Sequence, residues 1–281
     1  MPNVKIVTDS SCGITEEEIK KHHITIVPLS VLLDDTVYIE RESISNEEFI
    51  DKMIASGKVP KTSQPPIGKF IDVFNNLTAD GSSVVSINML PKLSGTFSTA
   101  KQAAGLVSGD VTVIDSQTTD RGLAFQVLAA AELAESGASV DEIVDKVHYV
   151  RDNSRLYMGF DKLDNFIAGG RMKNLLGSFV SLLKLKIGIE IKDGNTKLLT
   201  KGRGKKTINK FLDLVYQRID NDKDKIAHIG ISHVNIPNEA EQMANKIKEF
   251  CPNIPILIRP TVPTIASHAG EGAFAIMYDF K

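Results

Sequence analysis

Short apolar runs alternate with segments of helical periodicity through the first half of the chain. The runs lie in VKIV, IKKHHITIVPLSVLL, SVVSIN and VTVID, and periodic segments such as PPIGKFIDVFNNL lie between them. Buried parallel strands are short apolar runs joined by crossover helices. The alternation therefore predicts parallel strands connected by helices.

Two of the intervening segments carry clear signals for helix ends. Ser45 with Glu48, and Ser139 with Glu142, have the spacing of a capping box. Gly57 follows the first of these segments, at a position where helices commonly stop. We therefore expect helices to begin after residues 45 and 139.

The pattern changes after about residue 150. GIEIKDGNTKLL predicts a β-hairpin around Asp193 and Gly194, which introduces antiparallel pairing. A helix from about Lys205 to Ile219 follows, then strands in KIAHIGISH, IPILI and AFAIMYDF and a helix in NEAEQMANKIKEF. The prediction is a two-domain α/β protein: residues 1–150 form a parallel three-layer α/β/α domain, and residues 151–281 form a mixed-sheet α/β domain.

Composition and charge narrow the possible functions. Of the 281 residues, 42% are hydrophobic and 24% charged, which is typical of folded domains. The formal net charge of −2 gives no general attraction for nucleic acid or anionic membranes, so we expect no nucleic-acid partner and at most transient membrane contact. With two cysteines, no apolar leader and no long apolar run, the sequence predicts a cytoplasmic protein.

Small polar residues follow several of the predicted strands. Taken singly, each group is explained by helix capping, and we interpret Asp9 and Asp120 as caps or turn formers. Taken together, the groups meet at the edge of a parallel sheet where ligands bind. Gly95 permits close backbone approach, and helix N-termini favour anions, so we expect an anion there. The groups are TDSS (8–11), TSQPP (62–66), LSGT (93–96) and SQTTDRG (116–122).

Two later residues offer partners for an anion. Arg171 follows two glycines in GGRM, and His268 lies in the glycine-rich segment SHAGEGAF. A single arginine is usually a surface charge, and a single histidine is usually a satisfied, partly buried side chain. The neighbouring glycines leave a functional role open for both.

Several motifs of known chemistry fail in detail. TKGRGKKT lacks the spacing of a phosphate-binding loop, and the basic residues between Lys201 and Lys206 have no assigned role. GEGAFA (270–275) is followed by no βαβ unit, and Val234 replaces the final glycine of a nucleophile elbow in GISHV. The histidines show no metal-ligand spacing, so the sequence predicts neither a metal nor a catalytic residue.

Taken in order, KIVTDSS, TSQPP, LSGTFSTA, VIDSQTTDRG, GGRM and HAGEGAF resemble the DegV family, whose fatty-acid-binding members (FakB) serve bacterial fatty acid kinase. The resemblance implies a two-domain α/β protein that holds an acyl chain between its domains. It implies that Thr62 and Ser94 hydrogen-bond the carboxylate, and that Ser63, Gly95, Arg171 and His268 lie close to it. Thr96 is expected to cap the helix that follows.

The same resemblance implies a carrier with no catalytic residue and no cofactor apart from the bound long-chain fatty acid. Its partner would be a separate ATP-dependent kinase subunit, similar to dihydroxyacetone kinase, which makes the acyl phosphate for phospholipid synthesis. The chain departs from the usual family pattern at TTDRG, where many relatives carry smaller residues, and at Ala266 and Ser267. Both departures can reshape the ligand pocket.

Two other functions stay open from the sequence. An enzyme acting on a small carboxylate or phosphate would use Arg171 as a clamp and His268 as an acid or base. A lipid sensor or interaction module would need no kinase. The sequence does not distinguish among acyl chains of different length or saturation.

Overall fold

The computed structural model describes residues 4–171 and 185–281, and it has the α/β architecture that the sequence predicts. In chain order the elements are β1 (Val4–Asp9), α1 (Glu16–Lys21), β2 (Thr25–Val27), β3 (Ser30–Leu33), β4 (Thr36–Ile39), α2 (Asn46–Ser56), β5 (Lys61–Ser63), α3 (Ile67–Thr78), β6 (Ser83–Asn88), α4 (Thr96–Ala104), β7 (Val111–Asp115), α5 (Asp120–Glu135), α6 (Val140–Asp152), β8 (Ser154–Phe160), α7 (Asp164–Ala168), β9 (Lys186–Lys192), β10 (Asn195–Gly202), α8 (Lys205–Asp222), β11 (Ile226–His233), α9 (Pro237–Lys248), β12 (Ile256–Pro260), α10 (Pro263–Ala269) and β13 (Phe274–Phe280).

A parallel sheet with strand order β2-β1-β6-β7 forms the centre of the N-terminal half. Every residue of β6 is buried, because helices cover both faces of the sheet. Helices α5 and α6 pack on one face, and α3 and α4 pack on the other. The predicted three-layer α/β/α arrangement is confirmed.

The local signals for helix ends are also confirmed. The Ser45 side chain accepts a hydrogen bond from the Glu48 backbone N–H at the start of α2, and Gly57 ends that helix with φ of 62°. Ser139 and Glu142 form a complete capping box at the start of α6. These contacts satisfy backbone groups that the helix itself leaves unpaired.

A small antiparallel sheet with order β4-β3-β5 differs from the expectation of parallel strands in this region. Asp34 and Asp35, both with positive φ, close a tight hairpin between β3 and β4. On its other edge β3 pairs with β5, which places Val31 opposite Thr62. The sheet therefore fixes the position of the TSQPP segment.

The C-terminal half contains the predicted mixed sheet, with strand order β10-β9-β8-β13-β11-β12. The hairpin between β9 and β10 turns at Asp193 and Gly194, both with positive φ, as predicted. Strands β11 and β12 are parallel, whereas the other pairs are antiparallel. Helix α8 continues to Asp222, three residues beyond the predicted end.

One hydrophobic cluster contains residues from both halves of the chain, including Phe49 and Phe125 from the first half and Phe160 and Ile189 from the second. The predicted domain boundary near residue 150 falls in the last turn of α6. The division into 1–150 and 151–281 stays a prediction. None of the described helices is both long and apolar enough to cross a membrane.

Candidate functional site

A cavity of about 300 Å³ lies where the carboxyl edge of the parallel sheet meets β5, β8 and α10. All six site residues predicted from the sequence line this one cavity. Its polar lining residues are Thr62, Ser63, Gln64, Ser94, Gly95, Thr119, Arg171, Thr264 and His268. Its apolar lining residues are Leu29, Met89, Leu93, Met158, Phe160, Phe166, Ile265 and Ala269.

Thr62 and His268 meet directly across the cavity. Oγ1 of Thr62 lies 2.8 Å from Nε2 of His268, although 206 positions separate the two residues in the chain. Thr62 is held by the pairing of β5 with β3, and His268 lies on the last turn of α10. The two halves of the chain thus build one polar corner together.

The environment of His268 keeps its imidazole neutral. Burial, together with the neighbouring positive charge of Arg171, lowers the pKa of His268 to about 4. Among the described residues, Nδ1 has no hydrogen-bond partner. Gly169 packs closely against this atom, since a Cβ at position 169 would lie 2.2 Å from it. Nε2, which contacts Thr62, is therefore the ring nitrogen that takes part in hydrogen bonding at this corner.

Ser94 organises the turn before α4. Its Oγ accepts a hydrogen bond from the Thr96 backbone N–H at 3.3 Å and lies 2.8 Å from the Thr96 hydroxyl. Thr96 is the first residue of α4 and Gly95 is the N-cap, so the expectation that Thr96 caps the helix is wrong. The hydroxyl that stabilises this turn belongs to Ser94.

Gly95 is needed for close packing at the same corner. A Cβ at this position would lie 2.1 Å from Oε1 of Gln64, whose amide donates a 2.5 Å hydrogen bond to Oγ1 of Thr99. A larger residue would displace the Gln64 side chain from the cavity wall. The glycine in LSGT therefore has a packing role in addition to any contact with a ligand.

Arg171 provides a positive charge without a carboxylate partner in the described part of the chain. Its Nε donates to the Leu93 carbonyl at 3.1 Å, and Nη1 donates to the Gly169 carbonyl at 2.9 Å. Burial lowers the pKa of the guanidinium from its ordinary value, yet an arginine stays charged at neutral pH. The charge is held at the polar corner by two backbone carbonyls.

Asp9 organises the loops beneath the cavity. Its Oδ1 accepts hydrogen bonds from the backbone N–H of Ser11 at 3.0 Å and from the Ser11 hydroxyl at 2.5 Å. Its Oδ2 accepts from the Met89 backbone N–H at 2.9 Å and from the Asn88 amide at 3.3 Å. Burial raises the pKa of this carboxyl group. The turn-forming role inferred from the sequence is correct but incomplete, because Asp9 also ties β1 to the end of β6.

Asp120 connects the two halves of the chain. The sequence interpretation of this residue as a cap or turn former did not include that role. Its carboxylate accepts hydrogen bonds from the Ser232 hydroxyl at 2.9 Å and the Thr261 hydroxyl at 2.7 Å. The residue is buried and has φ of 53°, a conformation that aspartate tolerates better than most residues. No local pattern reveals these partners, since they lie more than a hundred positions away.

Sequence reasoning also missed Glu40, whose carboxyl group is fully buried. It accepts hydrogen bonds from the Ser10 hydroxyl and from the Thr264 backbone N–H at the start of α10. Burial raises its pKa above the ordinary value of a glutamate. Glu40 therefore anchors the helix that carries His268 to the N-terminal half.

The motifs rejected from the sequence lie outside the cavity lining. TKGRGKKT connects the end of β10 to the start of α8, and GEGAFA forms the turn between α10 and β13. Within residues 4–171 and 185–281, no group of three or more histidine, cysteine or acidic side chains could hold a metal ion.

Comparison with known proteins identifies relatives over the whole length of the chain. A family model described as "Uncharacterised protein, DegV family" matches residues 3–281. The DegV domain-containing protein YejH of Lactococcus lactis is 42% identical over 278 residues, which cover 99% of each chain.

Solved structures share the fold, among them one from Bacillus subtilis and one from Streptococcus pneumoniae. DegV from Bacillus subtilis, described as a fatty acid binding protein, superposes with a TM-score of 0.91 at 27% identity and covers 100% of both chains. The fatty acid kinase (Fak) B3 protein of Streptococcus pneumoniae, loaded with linoleic acid, gives a TM-score of 0.80 at 22% identity. That match covers 99% of this chain and 100% of the other.

Proposed function

The chain belongs to the DegV family, and from this premise we propose that it binds a long-chain fatty acid and presents the carboxylate to a separate ATP-dependent fatty acid kinase. In this role it carries the fatty acid and the resulting acyl phosphate for phospholipid synthesis. The chain itself is a carrier, and the kinase subunit performs the chemistry.

The observation that carries the proposal is one cavity that is lined both by apolar side chains and by a polar corner where Thr62 meets His268. Side chains such as Phe160, Phe166 and Ile265 offer a hydrocarbon surface, whereas Thr62 and His268 meet at the polar end. Each buried methylene of an acyl chain contributes about 0.8 kcal/mol to binding. The tail therefore supplies most of the affinity, and the corner sets the orientation.

At the corner, Thr62 and Ser94 donate hydrogen bonds to the carboxylate. When Nε2 of the neutral His268 donates to Oγ1 of Thr62, the Thr62 hydroxyl proton is free to point at the ligand. Arg171 supplies positive charge close by, which offsets the cost of burying an anion. Ser63 and Gly95 complete the surroundings of the headgroup.

The headgroup end of the cavity is accessible from outside. Among the lining residues, Ser63 and Gly95 are exposed, whereas Leu29 and Met89 are buried. A kinase can therefore approach the carboxylate while the tail stays enclosed. The acyl phosphate carries more negative charge than the fatty acid, and the same donors would stabilise it.

The relatives support fatty-acid binding more directly than they support the kinase step. The Bacillus subtilis protein of the same fold is described as a fatty acid binding protein. The likeness to the pneumococcal fatty acid kinase (Fak) B3 protein shows only the fold, so the proposed kinase step depends on the motif combination TSQPP, LSGTF, GGR and HAGEG. We also propose that residues 1–150 and 151–281 act as two domains with the acyl chain between them, in the cytoplasm where ATP is available.

The rival activity, an enzyme for a small carboxylate or phosphate, would use only Arg171 and His268. It would leave the apolar wall without a role, because a small anion gains nothing from a hydrocarbon surface. The carrier function uses both parts of the cavity.

The direct test measures acyl phosphate formation by a fatty acid kinase with ATP and this protein as the fatty acid donor. We expect Ser94→Ala and Thr62→Val to lower the rate at least about tenfold, because each removes a hydrogen bond to a charged group. Ser136→Ala, at an exposed helix end, is the matched control and should behave like the wild type. Unchanged kinetics in both site variants would refute the assignment.

A further inference from the structure

Two hydroxyl groups in the cavity wall have no function in the site described so far. Thr119 is 2% exposed and Thr264 is 4% exposed, and both line the acyl cavity. Within residues 4–171 and 185–281, neither hydroxyl oxygen has a hydrogen-bond partner. Buried hydroxyl groups are normally paired, so an unpaired couple in a ligand cavity needs an explanation.

Thr119 occupies a position where its hydroxyl would ordinarily be used. It is the N-cap residue of α5, and threonine at that position usually accepts a hydrogen bond from the first turn of the helix. Here the side chain makes no capping hydrogen bond. Thr119 is instead one of the residues that line the cavity.

Thr264 lies on the same helix as His268. The two residues are four positions apart on α10 and both line the cavity, so their Cβ atoms are about 5–6 Å apart. The Thr264 backbone N–H donates to Glu40, and its hydroxyl also lies beside that carboxyl, which leaves the hydroxyl oxygen able to accept a hydrogen bond from a ligand. The hydroxyl is therefore within reach of the first carbons of a chain whose carboxylate lies at His268.

The two threonines belong to segments that are joined. Asp120, which follows Thr119 directly, accepts a hydrogen bond from Thr261, which precedes α10 by two positions. Thr119 and Thr264 therefore approach the cavity from neighbouring parts of the interface between the halves. Together they add two hydroxyl groups to a lining that also contains apolar side chains such as Leu29 and Met89.

From these two hydroxyls we infer a second polar subsite, which binds an oxygen carried on the acyl chain close to the carboxylate. The inferred ligand class is the hydroxy fatty acids, and this inference depends on the proposed fatty-acid function. A plain hydrocarbon chain would leave the Thr119 hydroxyl buried and unpaired, and would offer the Thr264 hydroxyl nothing beyond the Glu40 carboxyl beside it, which is unfavourable. A hydroxyl on the β-carbon of the ligand can donate to one threonine and accept from the other.

The buried position of the subsite separates it from the phosphoryl group of an acyl phosphate. The kinase must reach the carboxylate from the side where Ser63 and Gly95 are exposed, so the new phosphate lies towards that side. Thr119 and Thr264 are instead buried residues of the cavity lining. An oxygen on the chain is the group that meets them.

The test compares binding of palmitic acid and β-hydroxypalmitic acid to the delipidated full-length protein by titration calorimetry. We expect the hydroxy acid to bind at least about fivefold more tightly, as one or two net hydrogen bonds would give. Equal or weaker binding of the hydroxy acid overturns the subsite while leaving the carrier function intact. Failure to bind either acid overturns the carrier function itself.

Three variants test whether a preference for the hydroxy acid over palmitic acid arises at this subsite. Thr119→Val and Thr264→Val keep the side-chain shape, and each should reduce the preference, because the ligand hydroxyl would lose one of its two partners. Thr8→Val is the matched control, since Thr8 has a buried hydroxyl that is also unpaired among the described residues but does not line the cavity. A preference of undiminished size in both cavity variants would contradict the inference.

Discussion

The neutral state of His268 predicts a specific loss of stability in acid. Its pKa is about 4 in the folded protein, against an ordinary value of 6.5, because of burial and the nearby Arg171 charge. Between these two pH values the unfolded chain binds a proton that the folded protein does not. The free energy of unfolding therefore falls as the pH drops from about 6.5 to about 4, by about 3 kcal/mol in total.

The assay is urea unfolding of the delipidated wild type and of His268→Asn over this pH range. Other groups titrate in both proteins, so the difference between their unfolding free energies isolates His268. We expect the wild type to lose about 2 kcal/mol relative to the variant between about pH 7 and about pH 5. Parallel pH profiles for the two proteins would refute the reasoning.

The bound ligand should reverse this behaviour. A carboxylate beside His268 favours the protonated imidazole, so fatty acid binding should raise the pKa of His268 from its value of about 4. Titration of the imidazole signal by NMR, with and without palmitic acid, measures the change. An unchanged pKa in the loaded protein would mean that the carboxylate does not lie at this corner.

Two further substitutions have outcomes fixed by the structure. Asp120→Ala removes two hydrogen bonds between the halves and places alanine at a positive φ. It should therefore lower the free energy of unfolding, measured with urea, by about 3–5 kcal/mol. A loss below about 1 kcal/mol would contradict the role given to Asp120. Gly169→Ala places a Cβ 2.2 Å from Nδ1 of His268 and should weaken palmitic acid binding at least about tenfold by calorimetry. Gly68→Ala, where a Cβ meets no neighbouring atom, is its control, and equal affinities of the two variants would count against the packing argument.

Local features of the fold were predictable because their causes are local. The capping box of Ser139 and Glu142 and the hairpin turn at Asp193 and Gly194 depend on residues adjacent in sequence, and both are present as predicted. The parallel sheet followed from the alternation of apolar runs and helical segments. The antiparallel sheet around β3 was missed, because an apolar run does not encode the direction of its partners.

The candidate site likewise contains residues that could be predicted and residues that could not. The residues carried over from the family resemblance, such as Thr62 and His268, line one cavity, although nothing in the spacing of the chain alone pairs them. Glu40 and the long-range partners of Asp120 were not foreseen, because their hydrogen bonds connect residues far apart in sequence. A polar residue that looks like a helix cap, such as Asp120, can connect the two halves of the chain, and only the folded structure reveals this.

The most direct test of the central claim is mass spectrometry of the lipid released when the purified, undelipidated protein is denatured in organic solvent. The account predicts one long-chain fatty acid per chain, and the acyl composition would identify the preferred ligand. An empty protein that also fails to take up added fatty acids would contradict it.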